Sequence, residues 1–180
     1  MKRIVVFLIF AWVFVSCVST PYHKNDVVVV PNIGDDANTP FTGFTRYDDE
    51  TDKGLFVYDN MYTFANGDGN NFLNGNMHVQ SNASMDASVL FTMQGTQFYL
   101  IVQSHGGRNS NIDLYIDGQN NQTFSAPQDR HDGHIVYFVS PELSDGIHTV
   151  MLKYNPGISG ELAFDGIDVY GELVVPPSAP

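Results

Sequence analysis

The most reactive side chain in this sequence is its sole cysteine, Cys17. Its place in the chain says more than its reactivity. It closes an apolar run, Ile4 to Val15, that follows the basic pair Lys2 and Arg3. Other residues able to do chemistry fall in polar stretches further on. Tyr62, Phe64 and Phe72 lie in an Asn- and Gly-rich stretch, and His105-Gly106-Gly107-Arg108-Asn109 forms a second one. Aromatic faces suit the C–H faces of a sugar ring. A guanidinium such as Arg108 pairs with a diol or a carboxylate through two parallel hydrogen bonds. The competing reading places Tyr62 and Phe64 in the core and leaves Arg108 as a solvated charge. Asn66-Gly67-Asp68-Gly69-Asn70 presents oxygen ligands at every second residue, as calcium loops do, with Asn66, Asp68 and Asn70 as ligands and Asp48-Asp49-Glu50 as further donors. His131 and His134 flank Asp132 without a helix to align them, so they read as a solvated loop rather than a zinc site.

The N-terminus has the layout of a signal peptide: two cations, a 12-residue apolar core, then small residues at Ser16 and Cys17. That core is short for a membrane span, which needs about 20 apolar residues. Val15-Ser16-Cys17 resembles the lipobox of bacterial lipoproteins, although Phe14 stands where that family usually carries Leu. The resemblance implies cleavage after residue 16, diacylglycerol on Cys17 and a lipid-anchored place in the bacterial cell envelope, at the outer membrane or cell surface. Without residues 1–16 the chain has 6 basic and 20 acidic side chains, a net charge of −14. Such a surface disfavours nucleic acid, whose binding relies on Lys and Arg at phosphates. Contact with an anionic membrane must then come from acyl chains. With Cys17 lipidated no disulfide forms within one chain, so the fold rests on an apolar core or a metal.

The elements that must position these residues read as strands. Residues 17–45 carry Pro21, Pro31 and Pro40 among Gly, Asn and Asp, and read as a lipidated tether. Residues 176–180 form a Pro-rich tail. Between them, 46–175 shows no helical apolar period but short alternating runs broken by Gly, Asn and Asp. Ser88–Met93 and Gln97–Val102 read as a pair of strands with a turn at Gly95-Thr96 between them. Ile112–Ile116 ends at Asp117-Gly118, a tight-turn pair. Strands over 135–139, 148–154 and 162–170 follow. The pattern predicts an all-β, two-sheet antiparallel β-sandwich of about eight strands.

The order of these pieces resembles the galactose-binding-like jelly roll found in carbohydrate-binding modules. Four segments carry the resemblance: Phe91–Thr96, Leu114–Gly118, Leu143–Val150 and Phe164–Val169. Leu55–Asp59 resembles the opening strand. The resemblance implies a non-catalytic module that binds glycan through Tyr62, Phe72, His105 and Arg108, with a structural calcium as its cofactor, held between the opening and closing strands. It also implies that His148 and Asp165 are structural, bonding nearby backbone. The other partner class is an envelope protein onto which the jelly roll docks. For catalysis, neither a Gly-x-Ser-x-Gly elbow nor a His-Glu-x-x-His pair is present. No pair among the 20 acids stands out for glycoside cleavage.

Overall fold

The computed structural model describes residues 28–65, 72–103, 109–126, 134–156 and 160–175. The calls on Cys17, Asn66, Asp68, Asn70, His105 and Arg108 lie outside them. The described chain forms eleven strands: β1 (Thr45–Asp48), β2 (Phe56–Asp59), β3 (Met61–Ala65), β4 (Asn76–Gln80), β5 (Ala87–Gln103), β6 (Ile112–Ile116), β7 (Gln119–Phe124), β8 (His134–Val139), β9 (Gly146–Tyr154), β10 (Ala163–Phe164) and β11 (Gly166–Val174). All pairings between them are antiparallel. The larger sheet runs β1-β11-β5-β9-β6-β7, with β2 and β8 also on β5, and a smaller sheet runs β10-β4-β3. The fold is the β-sandwich the alternation predicts.

The apolar alternation sets the core. Val89, Phe91 and Met93 of β5, Leu114 of β6, and Val150 and Leu152 of β9 are fully buried, and they pack with Met77, Val79, Ala163 and Phe164 of the smaller sheet. Phe56 of β2 crosses to Phe164, with ring centroids 5.1 Å apart. Burying side chains of this size from both sheets is the main driving force for the fold.

Two features depart from the sequence reading. The Gly95-Thr96 pair is no hairpin turn. β5 runs straight through it as one 17-residue strand. Gly95 and Gly171 of β11 face each other where the register of the two strands shifts, both with positive φ. A Cβ on either glycine would overlap a carbonyl of the other strand. The glycines therefore permit a bulge, not a reversal. Beyond it β5 is buried on both faces. One face joins the main core; Tyr99 and Ile101 form a second cluster with Ala37, Phe44 and Val136.

That second cluster corrects the tether. Residues 28–44 lie against the sheet: Gly34 N–H donates to Val136 O at 2.8 Å, Ala37 N–H to His134 O at 2.8 Å, and Phe41 and Phe44 pack on Tyr99. Proline-rich polar sequence hides this contact, because its apolar surface comes from scattered residues, Val28, Ala37, Phe41 and Phe44. At the two ends of the Asn- and Gly-rich stretch 60–76, Met61–Ala65 form β3 and Asn76 opens β4.

Candidate functional site

Ionisable groups gather where β1 and β11 enter the sheet. Arg46 of β1 reaches Asp168 of β11 with both arms, Nε to Oδ1 at 2.6 Å and Nη2 to Oδ2 at 2.9 Å. Its Nη1 donates to Ala37 O at 2.7 Å. The Tyr99 hydroxyl donates to Asp168 Oδ2 and accepts from Phe41 N–H. Asp168 is wholly buried, so its charge depends on this bidentate partner. Burial, together with the bond to Asp168, pushes the Tyr99 hydroxyl well above its usual range.

Beside this network sits a second group: Asp48, Asp49, Asp165, His78 and His134. The register of β1 on β11 makes it, since Asp48 pairs with Gly166 and Asp49 N–H donates to Asp165 O at 3.2 Å. His78 of β4 holds Asp49, with Nδ1 and Oδ2 2.8 Å apart, and lies flat on Tyr58 with ring centroids 3.8 Å apart. Asp165 accepts Leu73 N–H at 2.9 Å through Oδ1. Its Oδ2 has no hydrogen-bond partner, nor have Asp48 Oδ2, Asp49 Oδ1 and His134 Nε2, all buried. His134 Nε2 stands 3.7 Å from Asp165 Oδ2. Burial raises the Asp49 carboxyl to about 6 against the pull of His78. Burial, then the neighbouring Asp49 charge, raises Asp165 well above the carboxylate range. Burial and the Arg46 charge lower His134.

Four unpartnered polar atoms within one buried acidic group are costly. Three of them are carboxylate oxygens, the hard donors that suit calcium. Among the described residues no three His, Cys, Asp or Glu side chains already converge as a ligand set. A divalent cation would thus have to draw the Asp48, Asp49 and Asp165 oxygens inward. These donors fit its chemistry, and the unmet oxygens show room in their hydrogen bonding for it. Next to the group opens a cleft of about 330 Å3 lined by Asn38, Arg46, Asp48, Thr51, Asp52 and Asn74, with Pro40 and Leu73. Asp48 and Asp52 do not face each other across it. They share one turn, and Asp52 Oδ2 accepts Asp48 N–H at 2.9 Å.

Of the predicted contact residues the structure describes Tyr62 and Phe72, and it separates their roles. Tyr62 and Phe64 lie on β3, the outer strand of the smaller sheet, at 47% and 38% exposure. Phe72 is a correction. Its ring is 4% exposed and belongs to the main core, where Phe64 packs edge-on against it at 5.9 Å. A ring so enclosed has no face to offer a ligand. His134 is also corrected: it is a half-buried strand residue, not part of a solvated loop. His148 has the structural role expected of it. Its ring sits between Ser144 O and Asp117 Oδ2, each at 2.8 Å. Burial lowers its pKa, but these two partners outweigh that and leave it raised. Arg46, His78 and Asp168 escaped the sequence reading. The only signal was two acids, Asp165 and Asp168, inside the otherwise apolar closing run.

With this geometry in place, the chain can be set against known proteins. Neither a family profile nor a curated protein sequence matches it. Among solved structures it is similar to the exo-β-1,3-galactanase of Phanerochaete chrysosporium bound to β-1,3-galactotriose, with a TM-score of 0.53 and 12% identity. That match covers 72% of this chain and 30% of the galactanase, so the chain spans less than a third of that enzyme. It is also similar to a family 35 carbohydrate-binding module from Clostridium thermocellum, with a TM-score of 0.50, 12% identity, and coverage of 72% of this chain and 98% of the module. At such identity the likeness is one of fold: a β-sandwich of the carbohydrate-binding-module type.

Proposed function

We propose that this chain is a non-catalytic carbohydrate-recognition module, anchored in the bacterial envelope through lipid on Cys17. The observation that carries the reading is the exposed aromatic pair of β3. Tyr62 and Phe64 project from the same side of the strand, two residues apart, with ring centroids 6.5 Å apart. Beneath them the buried Phe72 braces Phe64, so the outer rings are held by the core rather than by a loop. Rigid aromatics exposed beside a buried third ring form a platform of the kind that sugar faces stack on. His105 and Arg108 stand as further contacts in this reading, Arg108 as a two-armed donor to sugar hydroxyls. The fold likeness to a carbohydrate-binding module supports recognition over catalysis.

On a glycan array the soluble domain is expected to bind saturably, and Tyr62→Ala to weaken that binding about tenfold, as loss of an aromatic anchor does. Equal binding by Tyr62→Ala and wild type would remove β3 from the site. The anchor has a separate test. Cys17→Ser is expected to shift the protein from the membrane to the soluble fraction and to abolish labelling by a fatty-acid probe. Continued membrane fractionation of that variant would sink the lipoprotein reading.

We further propose a calcium ion bound by Asp48, Asp49 and Asp165. It would neutralise buried carboxylates where the opening and closing strands meet. In this role it stabilises the sheet edge and does not touch the ligand.

A further inference from the structure

Four residues around the corner of β1, β8 and β11 each keep one buried polar atom without a hydrogen-bond partner: Asp48 Oδ2, Asp49 Oδ1, Asp165 Oδ2 and His134 Nε2. In every case the residue's other polar atom is held. Asp48 Oδ1 accepts Thr51 N–H at 2.7 Å and Glu50 N–H at 3.2 Å. Asp49 Oδ2 pairs with His78 Nδ1 at 2.8 Å, and Asp165 Oδ1 accepts Leu73 N–H at 2.9 Å. The His134 ring bonds the backbone of Phe72, and with Nε2 free that bond runs from Nδ1–H to the carbonyl. One fixed atom and one free atom per residue is the pattern of metal ligands oriented by their surroundings.

Two of the free atoms also face each other. His134 Nε2 and Asp165 Oδ2 stand 3.7 Å apart, too far for a hydrogen bond. With its proton on Nδ1, the ring presents a lone pair to the carboxylate oxygen. The Asp165 side chain is 0% exposed and that of His134 13%, and neither facing atom reaches solvent. Bulk water therefore supplies no donor. Two acceptors set against each other in a dry place are costly unless a cation lies between them.

Resting on the reading above that this group takes a divalent cation, we infer that His134 belongs to the site and that the ion it prefers is zinc. The donor count decides. Calcium takes about six to eight oxygens, and the group offers three free ones in a place closed to solvent. A structural zinc is satisfied by about four N, O or S ligands, and one nitrogen with three oxygens, one from each residue, matches that number. Imidazole moves a site away from hard ions and towards zinc. Two ligands about 2.1 Å from zinc lie about 3.4 Å apart at the tetrahedral angle, close to the separation of His134 and Asp165. Among the described residues no third ligand yet converges on that pair, so the ion must draw Asp48 and Asp49 in. Calcium can still occupy the carboxylates, with a weaker hold. Four protein ligands leave no position open for water, so the zinc is structural. It ties the end of β1 and the start of β8 to the corner between β10 and β11.

The test uses the full chain in detergent, stripped with chelator and then titrated with zinc chloride or calcium chloride. Calorimetry and the melting temperature are the readouts. Wild type is expected to bind a single zinc ion per chain, at least about tenfold more tightly than calcium. His134→Gln is expected to lose about a hundredfold in zinc affinity and to keep its calcium affinity. Asp165→Asn is expected to lose both ions. Cobalt(II) in place of zinc should give wild type the strong visible absorption of a tetrahedral centre, and His134→Gln should lack it. Calcium bound as tightly as zinc, with both affinities unchanged in His134→Gln, would overturn the zinc site and leave the calcium reading standing. Zinc bound equally by wild type, His134→Gln and Asp165→Asn would place the ion elsewhere on the chain and overturn the inference. Should His134→Gln not fold, the wild-type cobalt spectrum decides, and a weak octahedral band would overturn the four-ligand set. Binding of neither ion by wild type would overturn both readings.

Discussion

Arg46→Ala is expected to cost the domain about 3–5 kcal/mol, the usual penalty for stranding a buried charge. That is a large part of the roughly 5–15 kcal/mol by which a domain is stable. The penalty falls on Asp168, which is 0% exposed. In the wild type its two oxygens take both arms of the guanidinium and the Tyr99 hydroxyl. With alanine at position 46 the carboxylate keeps only Tyr99. It must then stay charged without a cation or take up a proton. The same substitution frees Ala37 O and with it the packing of residues 28–44 on β5 and β8. Urea unfolding should show a fall in midpoint, and limited proteolysis should cut first within 28–44. Arg46→Lys keeps the charge but not the bidentate geometry, so it should fall between wild type and alanine. Replacing the pair together, Arg46→Met with Asp168→Leu, should recover most of the loss, because no buried charge is left. A single Arg46→Ala variant within about 1 kcal/mol of wild type would show that the network contributes no more than an ordinary surface ion pair.

Asp165→Asn is expected to have opposite effects with and without calcium. In metal-free protein at neutral pH the Asp165 carboxyl is buried beside Asp49 and raised well above its usual range. Removing that ionisable group should therefore leave the metal-free domain as stable or more so. In calcium the wild type should gain about 2.7 kcal/mol at a hundredfold excess over Kd, and the variant should gain little. That gain corresponds to a rise in Tm of several degrees for a domain of this size. Equal melting of the wild type in calcium and in chelator would remove the ion from the structure.

The pH dependence of the metal-free wild type gives a second measure. Asp49 is raised from the usual carboxylate value to about 6, first by burial. Between its unfolded and folded values the native state holds the extra proton. Its contribution therefore favours folding at pH 4 and is lost as pH rises through 6, a change of about 3 kcal/mol at 1.4 kcal/mol per unit. His134 acts the other way. Its lowered value means the folded state sheds a proton early, so its contribution grows as pH rises towards the unfolded histidine value. Asp48 acts on both groups, His78 on Asp49 and Arg46 on His134. Asp165 is raised as well and adds to the same fall, so Asp49→Asn should shrink the fall between pH 4 and 6, and Asp49→Asn with Asp165→Asn should leave only the rise due to His134. A wild-type profile that does not fall between those values would contradict the raised Asp49.

How much of this was legible before folding depends on the range of the forces involved. Alternation is local, so β6, β9 and β11 could be read from Ile112–Ile116, His148–Tyr154 and the closing run. Turn chemistry is local too, and Asp117-Gly118 does end β6 as read. The Gly95-Thr96 pair misled because a glycine with positive φ serves a hairpin and a bulge equally well. Which one it makes is decided by the partner strand, here Gly171 more than 70 residues away. Phe72 looked like a loop aromatic because its neighbours are Asn and Gly. It is a core residue because β3 and β4 bring it under Phe64.

The sequence by itself determined the fold class, the acidic surface and the lipobox-like setting of Cys17, all of which follow from composition and short-range pattern. Only the tertiary structure decided which charges are buried together. Arg46 and Asp168 are 122 residues apart, and Asp49 and Asp165 over a hundred, yet both pairs meet because β1 lies antiparallel to β11 in a single register. Burial and register are properties of pairs distant in sequence, and no local pattern records them.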